Sequence, residues 1–394
     1  MIKVAVVGLG KMGLSHLSMF NAHPDVTLAA TCDSSTYALS VLSKYTGIPT
    51  FTDYDRMLRE VALDAVVIAT PSRSHAPMVR KALARGLHIF CEKPFTLAVE
   101  DGIELAATAR EKGVVTQVGY HNRFVGAFRE VKTLLEAGAI GEVTHALGEA
   151  YGPVVLKAKG STWRSRRDEG GGCLRDYAAH PIDLLNWYLG DPVSVGGTVL
   201  RPVFSQEIED QVCTTVFFPE GRTAQVSANW SDESQRKMTT RVSIWGTNGH
   251  IFADRQECQV FLRDTATVPP GYEAGWNVRY TTDLTKPVWF YLRGEEYSAQ
   301  VDYFIGRVKE GSVDGLNSFD SAMNTDRVIS MMLADEKRDV SPTVGDNTSA
   351  VDRRAHQALQ GALTGLRRLR VIPRAARARM IPARRSLGVS RGPR

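Results

Sequence analysis

Apolar residues follow two rhythms along this chain, and the change from one to the other divides it. Over the first 120 residues, short continuous apolar runs such as Val4-Ala5-Val6-Val7 and Ala65-Val66-Val67-Ile68 alternate with segments of helical period. Unbroken Val/Ile/Ala runs suit strands covered on both faces, and their alternation with helices predicts βαβ units around a parallel sheet. Strands are expected over 2–7, 26–32, 65–70, 87–91 and 114–119, with helices over 14–23, 35–45, 54–61, 74–85 and 97–111. Gly47, Gly86 and Gly113 stand where a left-handed residue would end a helix. The prediction for 1–120 is an α/β Rossmann domain with a doubly wound parallel sheet.

After Tyr120 the rhythm shifts. A helix over 127–137 and a strand over 142–151 lead into a Gly- and Arg-rich loop over 160–172. A helix over 174–189 follows, closed by Gly190-Asp191-Pro192. From 193 to about 262, β-rich runs are separated by turn signals such as Pro219-Glu220-Gly221 and Thr247-Asn248-Gly249. Late helices over 295–310 and 319–335 complete the pattern. The expectation for 121–340 is a C-terminal α+β domain with a large, mostly antiparallel, open-faced sheet. Residues 352–394 combine Arg, Pro, Gly and Ala without lasting periodicity and are expected to be a disordered tail.

Charge sharpens that division. Twelve of the 48 Lys and Arg residues lie between Arg353 and Arg394, and no Asp or Glu follows Asp352; without that segment 36 basic side chains face 43 acidic ones, a net of −7. The body is mildly acidic and the basic character belongs to the tail. Those arginines offer contacts to nucleic acid or anionic lipid, but the plainer reading is an extension with no specific partner. Five widely spaced cysteines with no C-x-x-C pair read as reduced thiols. No apolar run approaches membrane-span length. A strand starting at the first residues leaves no room for a secretory leader, so the expected compartment is the cytoplasm.

Gly8-x-Gly10-x-x-Gly13 lies between the first strand and the first helix. Its glycines serve a tight turn, close approach of backbone to a pyrophosphate, and packing of helix on strand. The helix N-terminus adds free N–H groups and a positive dipole end. Lys11 and Met12 fall inside this loop, and Asp33 ends the second strand, 20 residues past Gly13. A carboxylate there accepts from ribose hydroxyls and repels a 2′-phosphate, which favours NAD over NADP. The plain alternative is a glycine turn in a nucleotide-free domain, with Asp33 capping a helix. Thr70-Pro71 is expected to line the same crevice at the end of a later strand.

Two further stretches carry chemistry. Cys91-Glu92-Lys93-Pro94 ends a parallel strand and sends Lys93 toward the place for a nicotinamide. In 170–183, Asp176, His180 and Asp183 are spaced to share one helix face. A base that takes a hydroxyl proton and a cation that steadies the alkoxide suffice for alcohol oxidation. Taken singly, Lys93 is a surface lysine, Asp176 a helix-start acid and His180 a half-buried histidine. A metal site on Asp176, His180 and Asp183 has no supporting His or Cys pair, so no metal is expected.

Together, Gly8-Leu9-Gly10-Lys11-Met12-Gly13, Thr70-Pro71-Ser72-Arg73-Ser74-His75, Cys91-Glu92-Lys93-Pro94 and Asp176-x-x-x-His180-x-x-Asp183-Leu184 make the chain resemble the glucose–fructose oxidoreductase / inositol dehydrogenase / MocA family, from Met1 to about 335. The resemblance implies Lys93 polarising the substrate oxygen, with Lys93–Pro94 a cis bond. It also implies His180 as proton acceptor and Asp176 as the orienting acid. His75 and Glu92 join the cofactor residues, and Tyr120, Arg123, Trp163 and Arg164 the substrate cleft. It further implies a homodimer or homotetramer formed through the C-terminal sheet.

The expected activity is an NAD(H)-dependent dehydrogenase or ketoreductase acting on a secondary hydroxyl of a sugar, cyclitol or nucleotide sugar. Arg164, Arg166 and Arg167 in the central loop would suit a phosphorylated or nucleotide-linked sugar, or form a solvated basic loop. Two rivals keep the fold: an NAD-dependent glycoside hydrolase, and a non-catalytic NAD- and sugar-sensing regulator.

Overall fold

The computed structural model describes residues 1–153 and 163–337; the expected tail, 352–394, lies outside the described residues. The first sheet contains β1 (Ile2–Val7), β2 (Val26–Cys32), β3 (Thr50–Phe51), β4 (Ala65–Ile68), β5 (His88–Cys91) and β6 (Thr116–Val118). Interleaved are α1 (Lys11–Ala22), α2 (Thr36–Thr46), α3 (Tyr54–Glu60), α4 (His75–Ala84) and α5 (Val99–Glu111). Strand order is β3-β2-β1-β4-β5-β6 and every pair is parallel. The order reverses between β1 and β4, which opens a crevice at their carboxyl ends. Only the two-residue β3 lay outside the sequence expectation, being too short to carry a period.

Alternation along β1 feeds two cores. Ala5, Val7, Val66, Ile68 and Ile89 pack with Val79 and Leu83 of α4 and Leu105 of α5. On the opposite face, Val4, Val6, Val67 and Phe90 pack with Leu17 and Phe20 of α1. The same face receives Val301, Phe304 and Ile305, from far along the chain. Phe20, Phe90 and Phe304 meet edge to face with centroids 5.8–6.3 Å apart. Each fully buried aromatic or aliphatic side chain here contributes roughly 1.5–3 kcal/mol.

The rest of the chain supplies α6 (Gly126–Glu136), β7 (Val143–Tyr151), α7 (Ala179–Leu189), β8 (Ser194–Arg201), β9 (Gln211–Phe217), β10 (Thr223–Asn229), β11 (Arg241–Gly246), β12 (Gly249–Ala253), β13 (Glu257–Leu262), β14 (Gly275–Tyr280), α8 (Thr281–Leu284), α9 (Glu295–Glu310) and α10 (Phe319–Glu336). Eight strands form a second sheet in the order β14-β13-β12-β11-β7-β10-β9-β8. All its pairs are antiparallel except β7 with β10. α7 lies close against β7: a Cβ at Gly148 would come within 2.9 Å of Pro181 and Leu185. Trp245, Trp276, Val278 and Tyr280 remain exposed.

Two boundaries differ from the sequence reading. α9, expected in the second domain, packs on the first sheet, where its Val301, Phe304 and Ile305 fill the space over β1, β4 and β5. The expected helix over 174–189 begins with a π-helical turn, Leu174–Ala178, before α7 continues it. Such widened turns often accompany functional sites, and this one carries Asp176.

Candidate active site

The crevice begins at the glycine loop. Gly8 has φ +88°, and a Cβ there would meet the Ala69 carbonyl oxygen at 2.7 Å. A Cβ on Gly13 would strike the Gly8 oxygen at 1.7 Å, so these two glycines fold the loop onto itself. Gly10 is different: nothing lies within 4 Å of its would-be Cβ. That open face, at the N-terminus of α1, fits the close approach of a diphosphate. Lys11 is exposed at the first position of α1, whereas Met12 packs on the core beneath it.

Asp33 ties this loop to the next. Its Oδ2 accepts from the Leu9 N–H and its Oδ1 accepts from the Ser35 N–H, at 2.5 and 2.7 Å. Ser35, not Asp33, caps α2 through the Ala38 N–H. Each carboxylate oxygen of Asp33 retains a second lone pair for a ribose hydroxyl. Thr70 and Pro71 follow β4 at the same edge, Thr70 half-buried and Pro71 exposed.

His75 and Glu92, grouped by the resemblance with the cofactor residues, have their polar atoms engaged inside the chain. His75 places Nδ1 2.9 Å from the Pro94 carbonyl oxygen and Nε2 3.0 Å from that of Thr70. Burial pushes its pKa down, so the neutral ring donates to one carbonyl at a time. His75 therefore braces the Thr70 turn against Pro94. Glu92 Oε1 lies 2.6 Å from His16 Nε2, and its Oε2 accepts from the Lys93 N–H. Burial alone would raise the Glu92 carboxyl, but His16 and Lys93 hold it below its usual range. His16 is wholly enclosed in α1 and gives no signal beyond a place on that helix's inner face.

Across the crevice stands Lys93, in a cis bond to Pro94. Its Nζ donates to Asp176 Oδ1 at 2.8 Å and to the Asp176 carbonyl oxygen at 3.0 Å. Arg164 Nε donates to Asp176 Oδ2 at 2.9 Å. Burial would raise the Asp176 carboxyl, yet Lys93 and Arg164 together hold it well below the usual carboxylate range. His180 follows on α7, almost fully buried, with Nδ1 unpartnered. Burial first, and the Lys93 charge second, depress its pKa to about 3. A neutral imidazole beside a lysine ammonium forms a proton acceptor next to a cation.

The wall behind His180 was only partly legible. His121 meets the His180 ring at 5.2 Å and stacks on Tyr297 at 4.4 Å. Arg293 lies over Tyr297 and reaches Ser15 of α1, while Arg255 pairs with Glu296. His121 lies between Tyr120 and Arg123, the two residues of this stretch that the resemblance placed in the cleft. Tyr297, Arg255 and Arg293 arrive from distant elements with no local motif.

Several expectations change. Arg123 does not line the cleft with a free guanidinium: it is buried, forks onto both Asp183 carboxylate oxygens at 2.6 and 2.9 Å, and donates to the Leu316 carbonyl and Ser321 Oγ. Asp183 is thereby drawn away from Asp176 and His180, because one more helical turn carries it past the crevice. Tyr120 meets the His180 ring in a T-shaped pair at 6.3 Å, and its hydroxyl is buried away from the cleft. Trp163 lies under the Arg164 guanidinium at 4.6 Å. Arg166 pairs with Asp168 and Glu169, and Arg167 with Glu209. This part of the loop is charge-compensated, not a free phosphate clamp. Among the described residues, no cluster of three His, Cys, Asp or Glu side chains could hold a metal ion.

Comparison with known proteins matches both halves. Residues 2–120 match the oxidoreductase family model with an NAD-binding Rossmann fold, and 128–252 match the GFO/IDH/MocA C-terminal domain. The scyllo-inositol 2-dehydrogenase (NAD(+)) of Bacillus subtilis is 30% identical over 64% of this chain and 73% of its own. The inositol 2-dehydrogenase of Rhizobium meliloti is 26% identical over 79% and 90%. In fold, the chain is similar to levoglucosan dehydrogenase in complex with NADH and levoglucosan, with TM-score 0.76 at 21% identity, covering 85% of this chain and 96% of the other. A glycine loop with one open face, an acid at the end of β2 and a lysine–aspartate–histidine cluster thus occur in a chain that belongs to the glucose–fructose oxidoreductase / inositol dehydrogenase / MocA family of NAD-binding oxidoreductases.

Proposed function

We propose that this protein is an NAD(H)-dependent dehydrogenase or ketoreductase acting on a secondary hydroxyl of a sugar or cyclitol, with nucleotide sugars in the same class. The observation that carries the reading is the contact of Lys93 with Asp176 beside His180, a buried histidine whose Nδ1 has no partner. NAD supplies the hydride acceptor or donor. His180, neutral at working pH, accepts the hydroxyl proton, and the Lys93 ammonium stabilises the oxygen as charge develops. Asp176, kept ionised by Lys93 and Arg164, holds that ammonium in place. Trp163 and Arg164 border the substrate. Gly8, Gly10, Lys11, Met12, Gly13, Asp33, Thr70 and Pro71 border the cofactor. Asp33 supports NAD over NADP, because a second anion beside it would be repelled.

The substrate class is supported by the inositol and levoglucosan dehydrogenases the chain is similar to. A homodimer or homotetramer through the second sheet is supported by its exposed aromatic row, Trp245, Trp276 and Tyr280. A cytoplasmic location is supported by five free thiols. No helix among the described residues is long and apolar enough to cross a membrane.

The test is NADH formation, followed by its near-ultraviolet absorbance, with NAD⁺ or NADP⁺ against inositols, free sugars and nucleotide sugars. Turnover with one class and NAD⁺ is the expected result. Release of free sugar from an aryl glycoside without net NADH would replace it with the hydrolase reading. Tight NAD binding with no turnover at all would leave the sensor.

A further inference from the structure

The turn that carries Asp176 is held from outside its own helix. Leu174–Ala178 is π-helical, and such turns are rare and persist where surrounding contacts fix them. In that register each carbonyl looks to the N–H five residues on, which for Asp176 is residue 181. Residue 181 is a proline and has no N–H to give. The Asp176 carbonyl is thus open to Lys93, whose Nζ donates to it at 3.0 Å and to the carboxylate at 2.8 Å.

Glu209, 35 positions from Leu174 and just before β9, closes the N-terminal end of the same turn. Its backbone carbonyl accepts from the Cys173 N–H and its Oε1 from the Leu174 N–H, each at 3.0 Å. The first N–H groups of a helix have no partner within it, so a buried start needs acceptors of this kind. The Glu209 side chain is almost fully buried and packs hard against the turn: a Cβ at Gly172, φ +108°, would strike its carboxylate. The neighbouring Asp210 mounts this acid on the second sheet. Asp210 donates its N–H to the Arg201 carbonyl of β8, and its own carbonyl accepts from the Trp230 N–H. Its Oδ1 also accepts from the Trp230 indole N–H at 2.7 Å. A continuous set of contacts therefore runs from the sheet through Asp210, Glu209 and Leu174 to Asp176, and from there to the ammonium.

We propose that Glu209 is a positioning residue for the chemistry assigned to Lys93: by capping the π turn it keeps both Asp176 acceptors, carbonyl and carboxylate, on the Lys93 ammonium. That role rests on the proposed reading of Lys93 and Asp176 as the charged part of the active site. Without the side-chain acceptor the Leu174 N–H is left buried and unpaired, a cost the turn escapes only by moving. Any such movement carries Asp176 away from Lys93.

The test compares Glu209→Ala, Glu209→Asp and Glu209→Gln with the native full chain. Two quantities are read below the thermal midpoint of each: turnover with NAD⁺ affinity, and acetylation of Lys93 by acetic anhydride, followed by peptide mass. The anhydride attacks a free amine, so a lysine held as an ammonium on Asp176 reacts slowly. Glu209→Ala is expected to lower kcat about 10–100-fold with NAD⁺ affinity unchanged, as small displacements of reacting groups do. Lys93 acetylation should rise about tenfold, equivalent to one lost charge-assisted hydrogen bond. Glu209→Asp keeps the charge but falls one methylene short of Leu174, so it should behave like Ala and carries the test if Ala does not fold. Glu209→Gln keeps the acceptor at nearly the same length and should restore both readouts. A lowered thermal midpoint with native Lys93 acetylation and native kcat would make Glu209 a purely structural cap and overturn the proposal. So would a Gln variant as impaired as Ala. Acetylation needs no turnover: if it rises as expected in a protein without dehydrogenase activity, the proposed function fails and the positioning of Lys93 by Glu209 stands.

Discussion

Lys93 and Asp176, 83 positions apart, are joined at 2.8 Å, and the Lys93 ammonium reaches the Asp176 backbone carbonyl as well. The double contact fixes the ammonium at the start of the helix that carries His180. One residue comes from the parallel-sheet half and the other from the second half, so the proposed chemistry needs both halves.

Replacing the lysine tests that arrangement most directly. Lys93→Ala is expected to lower kcat about 10²–10³-fold, as removal of a charge stabiliser typically does, with NAD⁺ affinity changed little. Stopped-flow turnover with parallel cofactor titration separates the two quantities. An unchanged kcat would remove Lys93 from the mechanism.

The glycine loop separates packing from binding within three residues. Gly13→Ala drives a methyl into the Gly8 carbonyl and is expected to cost several kcal/mol, or to prevent folding. Gly10→Ala has φ −66° and free space, so stability should shift by only about 0.5 kcal/mol. Its methyl, however, fills the face assigned to the diphosphate. Thermal melts and NAD⁺ binding of the two variants should therefore diverge, with Gly10→Ala folded and deaf to cofactor.

His180 sets a pH dependence with a definite sign. Its folded pKa of about 3 lies below the unfolded value of about 6.5, so the folded state resists protonation. The associated stability is fully present above about pH 6.5 and is lost as pH falls toward 3. Denaturant midpoints at pH 7.5 and pH 4.5 should differ more for the native chain than for His180→Gln. Oxidation should also lack the inflection near 6.5 that an ordinary histidine base would give.

Asp326 on α10 behaves oppositely. It is buried, its Oδ2 accepts from the Thr96 N–H at 2.8 Å and from Thr96 Oγ1, and burial raises its pKa to about 7. The folded state then binds a proton that the unfolded chain releases near 4, and stability falls as pH rises from about 4 to 7. Asp326→Asn keeps an acceptor and removes the charge, so it should stabilise the protein at pH 8 by on the order of 3 kcal/mol. The gain should vanish toward pH 4. A gain independent of pH would show that the carboxyl does not titrate in this range.

The Arg123–Asp183 pair makes a stability prediction in place of a binding one. Arg123→Met leaves a buried carboxylate without its fork and is expected to cost about 3–5 kcal/mol. The double variant Arg123→Met, Asp183→Leu should recover much of that loss. A double-mutant cycle on thermal midpoints measures the coupling.

What the chain's own pattern determined was local. Unbroken apolar runs specified β1, β2 and β4, the left-handed glycines Gly47, Gly86 and Gly113 ended their helices, and the Gly8–Gly13 loop and Asp33 announced a dinucleotide site. Each is legible because turn chemistry and side-chain period act over a few residues. Lys93, Asp176 and His180 were also legible, but only through spaced motifs taken together. Tertiary structure decided the rest. It sent Arg123 to Asp183, folded His75 and Glu92 inward, neutralised Arg166 and Arg167, and brought α9 back across the first sheet. Those outcomes turn on which distant surface a side chain meets and how much water that contact removes, and such pairings leave no period in the sequence.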